Sequence, residues 1–132
     1  MNFNKMLQQI NTSLLSHVSS VGILPNDGGI IEGFPECALS FDYEQFRLHI
    51  FSGYFKPVYQ DRYETFLFSD IKEIEMGKYN FKDHYIKITF KDDKYIAFSY
   101  LFKVRKYKDQ MENIFKFIKK LESISTLDKE ES

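Results

Sequence analysis

From Gly29 to Tyr100 the apolar residues recur at every second position rather than every third or fourth, and no other feature constrains this chain so tightly. A period of two belongs to strands that bury one face. Seven short strands are expected, near residues 29–34, 36–42, 46–52, 62–68, 71–77, 84–91 and 94–100. The second and third set their own register. Cys37, Leu39 and Phe41 alternate with Ala38, Ser40 and Asp42, and Phe46, Leu48 and Ile50 follow a turn at Asp42-Tyr43-Glu44-Gln45. Pairing 41 with 46, 39 with 48 and 37 with 50 puts every apolar side chain on one face. In the last two strands, pairing Phe90 with Tyr95 across Asp92-Asp93 would put Ile86, Ile88 and Phe90 on the face opposite Ile96 and Phe98. A bulge or an odd-length loop is therefore expected there. Ile71 breaks the parity shared by Phe66, Phe68, Ile74 and Met76, which predicts a bend at Ser69-Asp70.

On either side of this region the period is helical. Phe3, Met6, Leu7, Ile10, Leu14 and Val18 step by three and four, predicting an amphipathic helix from residue 2 to about 19 that ends before Gly22, Pro25, Asn26, Asp27, Gly28 and Gly29. Its stripe can pad its own domain, the preferred reading, or pair with a second copy across a two-fold axis. Met111, Ile114, Phe115, Ile118, Leu121 and Ile124 form a second stripe, with Asp109 as N-cap and Glu112 three residues on. The chain thus divides into an N-terminal helix at 1–22, a β domain at 28–124 and a fraying tail at 125–132.

Composition narrows the class. The 132 residues suit one domain, and 43% hydrophobic and 28% charged content with 18 Lys+Arg against 19 Asp+Glu excludes a disordered chain and a nucleic-acid-binding polycation. Fourteen Phe and nine Tyr without a Trp favour strands, and Phe41, Phe46, Phe90, Phe98 and Phe115 fall at core-facing positions. Cys37 is the one cysteine, so no internal disulfide forms, and its apolar parity makes it a buried, inert thiol. No secretory leader and no apolar run of membrane-spanning length is present, which points to a soluble, cytoplasmic protein. His17, His49 and His84 lack metal-ligand spacing, and Gly28-Gly29 lacks the strand and Lys-Ser/Thr of a phosphate-binding loop. Neither catalysis nor a metal or other cofactor is expected.

Seven antiparallel strands followed by one amphipathic helix suggest a sandwich or partly open barrel closed by that helix, with an extra N-terminal helix. This order resembles the pleckstrin-homology-like superfold. The run Phe66-Leu67-Phe68-Ser69-Asp70-Ile71-Lys72-Glu73-Ile74-Glu75 is similar to bacterial PH-like and GRAM-like families, where an aromatic strand enters a Ser-Asp-Ile-Lys bend before a hairpin and a closing helix. The resemblance spans roughly residues 28–124 as a pattern, and the Ser-Asp-Ile-Lys segment residue by residue. It implies a binding module whose relatives recognise phosphoinositides, phosphopeptides or proteins. Lys and Arg around the loop between the first two strands carry the phosphoinositide site in that superfold. That loop, placed at Gly33-Phe34-Pro35-Glu36, has no such residue, and none occurs from Met6 to Phe46.

Two segments remain as candidate surfaces. Tyr54, Phe55, Val58, Tyr59 and Tyr63, interleaved with polar residues between two strands, are either core or an offer to a protein partner. Lys103, Arg105, Lys106, Lys108, Lys116, Lys119 and Lys120 stand against only Asp109 and Glu112 within residues 101–120, a solvated face or a contact for an anionic membrane. The leading expectation is a non-catalytic module binding a protein through a groove or edge strand. The alternatives are a peripheral membrane module acting through 103–120 and a carrier enclosing a small apolar ligand.

Overall fold

A computed structural model describes residues 3–33, 35–53 and 56–131, with residues 125–131 described as backbone. A short helix α1 (Phe3–Leu7) and a 3₁₀ turn (Thr12–Leu14) precede β1 (Ser19–Ile23), β2 (Glu36–Phe41), β3 (Gln45–Ser52) and β4 (Val58–Leu67). A second 3₁₀ turn (Phe68–Asp70) leads to β5 (Ile71–Lys78), β6 (His84–Phe90), β7 (Tyr95–Tyr100) and the helix α2 (Gln110–Glu131). The strands form one antiparallel sheet in the order β4-β3-β2-β1-β7-β6-β5, not closed into a barrel. The expected mainly-β class, with seven antiparallel strands and a closing C-terminal helix, is the observed one.

Local chemistry accounts for the registers. The β2–β3 hairpin pairs Cys37 with Ile50, Leu39 with Leu48 and Phe41 with Phe46, as the alternation requires. Asp42 holds its turn, because its Oδ1 accepts the backbone N–H groups of Glu44 and Gln45 at 2.9 and 3.0 Å. The β6–β7 pair solves its parity conflict with an odd loop: Thr89 faces Tyr95, so Ile88 meets Ile96 and Ile86 meets Phe98. The bend at Ser69-Asp70 is the second 3₁₀ turn.

The first third of the chain departs from the expectation. The helix read from 2 to 19 is five residues long, and Ser19–Ile23 is a strand at the centre of the sheet, pairing with β2 on one side and β7 on the other. Val18 and Val21 satisfy a helical step, yet Ser19, Val21 and Ile23 are all buried, and two neighbouring strands outweigh the local period. A strand is expected at 29–34, but residues 29–33 are not one. Residues 24–33 form a loop held to β7 by the Gly29–Ile96 bridge and by backbone hydrogen bonds from Leu24 N to Ala97 O, Ala97 N to Gly28 O and Ile30 N to Tyr95 O. Gly29 has φ +79°, and a Cβ there would lie 1.9 Å from the Tyr95 carbonyl oxygen, so only glycine fits. The sheet therefore starts at residue 19 rather than 28.

One face of the sheet curls around α2. Phe66 of β4 stacks on Phe90 of β6 at 5.1 Å and on Phe46 at 5.0 Å, bringing the inner faces of the two halves together. Phe117 fills the middle, with Phe41, Phe46, Phe68 and Phe98 at 5.3, 5.3, 6.2 and 6.3 Å. The expected stripe on α2 is rotated. Phe117 is fully buried, whereas Phe115 is 49% and Met111 37% exposed. Gln110 and Asn113 take part of the buried face because they bind backbone groups of β1 and its approach, which an apolar stripe cannot register. The expected tail at 125–132 begins within α2, and its side chains lie outside the described residues.

The outer face of β2 and β3 is covered as well. Phe3, Met6 and Ile10 are 1–3% exposed and pack with Val18, Ala38 and Phe51 in a second apolar cluster. The N-terminal stripe is thus used within the chain. Gln9 pins it, its Nε2 donating to Pro57 O at 2.9 Å and its Oε1 accepting from Tyr59 N–H at 2.8 Å. Among the described residues no helix is long and apolar enough to cross a membrane.

Candidate functional site

The aromatic segment divides. Tyr54 and Phe55 lie outside the described residues. Tyr59 is half-buried against the second cluster, with its ring 5.3 Å from that of Phe51. Val58 and Tyr63 are 55% and 42% exposed. Both sit on β4, an end strand of the sheet. A bulge at Asp61, φ +51°, interrupts its pairing with β3, but from Tyr63 to Leu67 the ladder runs without a break. Tyr63, Thr65 and Leu67 share the outer parity of that stretch, and all three are exposed.

Beneath Tyr63 lies a polar patch that alternation concealed. Arg47 and His49 occupy outer positions of β3, opposite Thr65 and Tyr63. The Arg47 guanidinium is 5.8 Å from the centre of the Tyr63 ring, and the His49 ring is 5.5 Å away. His49 is fully buried although it alternates with the apolar Leu48 and Ile50, because the N-terminal segment covers that outer face. Its Nε2 lies 2.9 Å from Ser40 Oγ, which is 3.4 Å from Leu14 O, while Nδ1 has no partner among the described residues. Burial, helped by the Arg47 charge, pushes the His49 pKa down to about 4, so the ring is neutral. Ser40 and His49 are both closed to solvent, which denies this pair a substrate.

The basic segment is less uniform than its sequence. Lys103, Arg105, Lys106 and Lys108 are exposed around a tight turn in which Val104 bridges Tyr107. Lys116 pairs with Glu112 at 3.5 Å, and Lys120 lies 4.7 Å over the Tyr43 ring and 5.2 Å over that of Phe68. Lys119 is exposed on α2. Lys103 and Arg105 also line a cleft of about 250 Å³ with Ser20, Ser99, Glu36 and Asp83. Burial and then the Asp83 charge raise the Glu36 pKa. Cys37 lies under the sheet, and burial pushes its thiol far above the ordinary range, which makes it unreactive.

Among the described residues no group of three or more His, Cys, Asp and Glu side chains is arranged to hold a metal ion. What the chain defines is a class of domain: a curled antiparallel sheet around a C-terminal helix, with β4 and β5 as its two end strands. Comparison with known proteins finds no matching family model, no matching curated protein and no matching solved structure.

Proposed function

We propose that the chain is a non-catalytic, cytoplasmic interaction module of the pleckstrin-homology-like kind that receives an extended protein segment along β4. The element order, seven antiparallel strands and then a closing helix, supports the family reading. The open β4 edge carries the functional one. An end strand exposes backbone donors and acceptors that a partner strand satisfies. The two ends of the sheet differ in how they are guarded. β5 carries exposed Lys72, Glu73, Glu75 and Lys78, and Lys72 pairs with Asp93 at 2.6 Å. Beyond its bulge, β4 presents Tyr63, Thr65 and Leu67 on one face, with 42% and 43% exposure of the two large side chains. Charge discourages strand addition, whereas a mixed aromatic and polar edge permits it.

The membrane reading rests on Lys103, Arg105, Lys106, Lys108 and Lys119, since Lys116 and Lys120 have partners inside the chain. The carrier reading has less support, because phenylalanine rings occupy the space between sheet and helix. Affinity capture from native lysate with wild type and with Tyr63→Lys/Leu67→Lys decides the leading reading. It requires a discrete set of proteins held by the wild type and lost by the folded variant. Equal capture by both, or none by either, counts against it.

A further inference from the structure

We propose that the turn between β5 and β6 is a membrane-docking tip, which sinks Phe81 into the interface of a bilayer carrying anionic phospholipid while Lys78 and Lys82 hold its headgroups. Phe81 is 92% exposed, and Tyr79 beside it is exposed as well. The turn is built to hold the ring there. Tyr79 N–H donates to Asp83 O at 2.9 Å, and Asn80 Oδ1 accepts from the backbone N–H groups of Lys82 and Asp83 at 3.0 and 2.8 Å. None of these bonds involves the side chain at 81, and a ring left in water stabilises nothing in the fold. Behind the tip the apolar surface continues: the His84 ring lies 4.7 Å from that of Phe102, which stacks at 5.1 Å on the exposed Phe115 of α2.

Charge selects the occupant. Lys78 and Lys82 flank the two rings with no acid between them in the chain. Asp83 and Glu36 line the neighbouring cleft together with Lys103 and Arg105, so those charges balance and the tip keeps its own two. An anionic leaflet attracts each such lysine, whose methylenes lie along the interface while the ammonium stays at phosphate depth. A fluid interface also closes around a protruding ring, which a rigid protein surface does only with a matching pocket. The tip leads into His84, which pairs with Tyr100, whereas the loop 24–33 meets β7 at Tyr95 and Ala97. It therefore lies at the other end of β7 from the loop between the first two strands. The inference goes beyond the β4 reading, since β4 and β5 are opposite ends of the sheet.

The chain has no tryptophan, so Phe81→Trp places a single fluorophore at the tip. The full chain is mixed with vesicles of phosphatidylcholine alone or with about 30% phosphatidylglycerol, at about 0.1 M NaCl. Emission from position 81 is expected to move to the blue with the anionic vesicles and to stay in place with the neutral ones. Lys91→Trp, at the opposite end of β6, is expected to show no shift with either. In co-sedimentation Phe81→Ser should bind the anionic vesicles about tenfold more weakly than wild type, the order expected for losing one inserted ring. No blue shift at 81, an equal shift at 91, an equal shift with neutral vesicles, or unchanged sedimentation of Phe81→Ser overturns the proposal. If Lys103→Glu/Arg105→Glu loses the vesicles while Phe81→Ser keeps them, the basic turn and not the tip makes the contact, and insertion fails. Capture of a protein that Phe81→Ser loses, without vesicle binding, gives the tip to a protein and overturns the membrane assignment. None of these results bears on the β4 edge, which Tyr63→Lys/Leu67→Lys tests separately.

Discussion

The carboxamide of Gln110 takes the place of a strand beside Ser20: its Oε1 accepts the Ser20 N–H at 2.7 Å and its Nε2 donates to the Ser20 carbonyl at 2.9 Å. The same Nε2 reaches Leu101 O at 3.0 Å. β1 and β7 pair directly only from Val21 to Ile23, so the first residue of α2 closes the seam where the two strands part. Removing it leaves backbone groups unpaired in a site that is 1% exposed at Gln110.

Gln110→Ala is accordingly expected to lower stability by about 2–4 kcal/mol, since each orphaned buried group costs about 1–3 kcal/mol and water recovers part of the sum. Gln110→Glu keeps the acceptor and loses both donors, facing two carbonyls with a charge. Urea unfolding should place both variants well below wild type. A loss under 1 kcal/mol in both refutes the role assigned to this side chain.

Phe117 and Phe115 make a matched pair on one helix. Phe117→Ala opens a cavity among four phenylalanine rings and is expected to cost about 3–5 kcal/mol. Phe115 stacks on Phe102 at 5.1 Å but remains half in water, so Phe115→Ala should cost about 1 kcal/mol or less. Equal losses in denaturant titrations contradict the rotation of α2 described above.

The N-terminal segment is structural on this account. Phe3 meets the Tyr107 ring edge-on at 4.9 Å, and Met6 is buried beside Ala38 and Phe51. Phe3→Ala should cost about 3–4 kcal/mol, and deletion of residues 1–10 more. Retention of the wild-type unfolding midpoint by the truncated chain shows the cover to be dispensable.

His49 gives stability a pH dependence of definite sign. Its folded pKa of about 4 lies below the ordinary 6.5, so the unfolded chain takes up a proton first as the solution is acidified. Its contribution is complete above pH 6.5 and is lost as pH falls toward 4, about 3 kcal/mol if the ring keeps its place. His49→Gln should flatten that slope in unfolding curves taken from pH 7 to 4. An unchanged slope means that His49 is not buried neutral.

The strand period made much of this fold legible. Cys37, Leu39 and Phe41 against Phe46, Leu48 and Ile50 set a register that the hairpin adopts, because a slip of one residue turns every apolar side chain outward. Ser19–Ile23 was hidden for the opposite reason: its partners lie at Leu39 and Tyr100, and no local pattern announces pairing over such distances. Gln110 and Asn113 were hidden because their place in the core comes from backbone groups they satisfy, not from apolar surface. The candidate site was legible in part. Tyr63 and Val58 stand out as aromatic and branched residues in a polar stretch, whereas Arg47 looks like any outward residue of a strand. Only the three-dimensional arrangement brings its guanidinium to 5.8 Å from the centre of the Tyr63 ring.

The β4 edge is most directly tested by photo-crosslinking in living cells, with a photoreactive phenylalanine analogue at position 63 and, as control, at position 75 on β5. Strand addition at β4 predicts discrete higher-mass adducts from position 63, absent from position 75 and suppressed by Leu67→Lys. No adducts from position 63, or the same adducts from both positions, contradicts it.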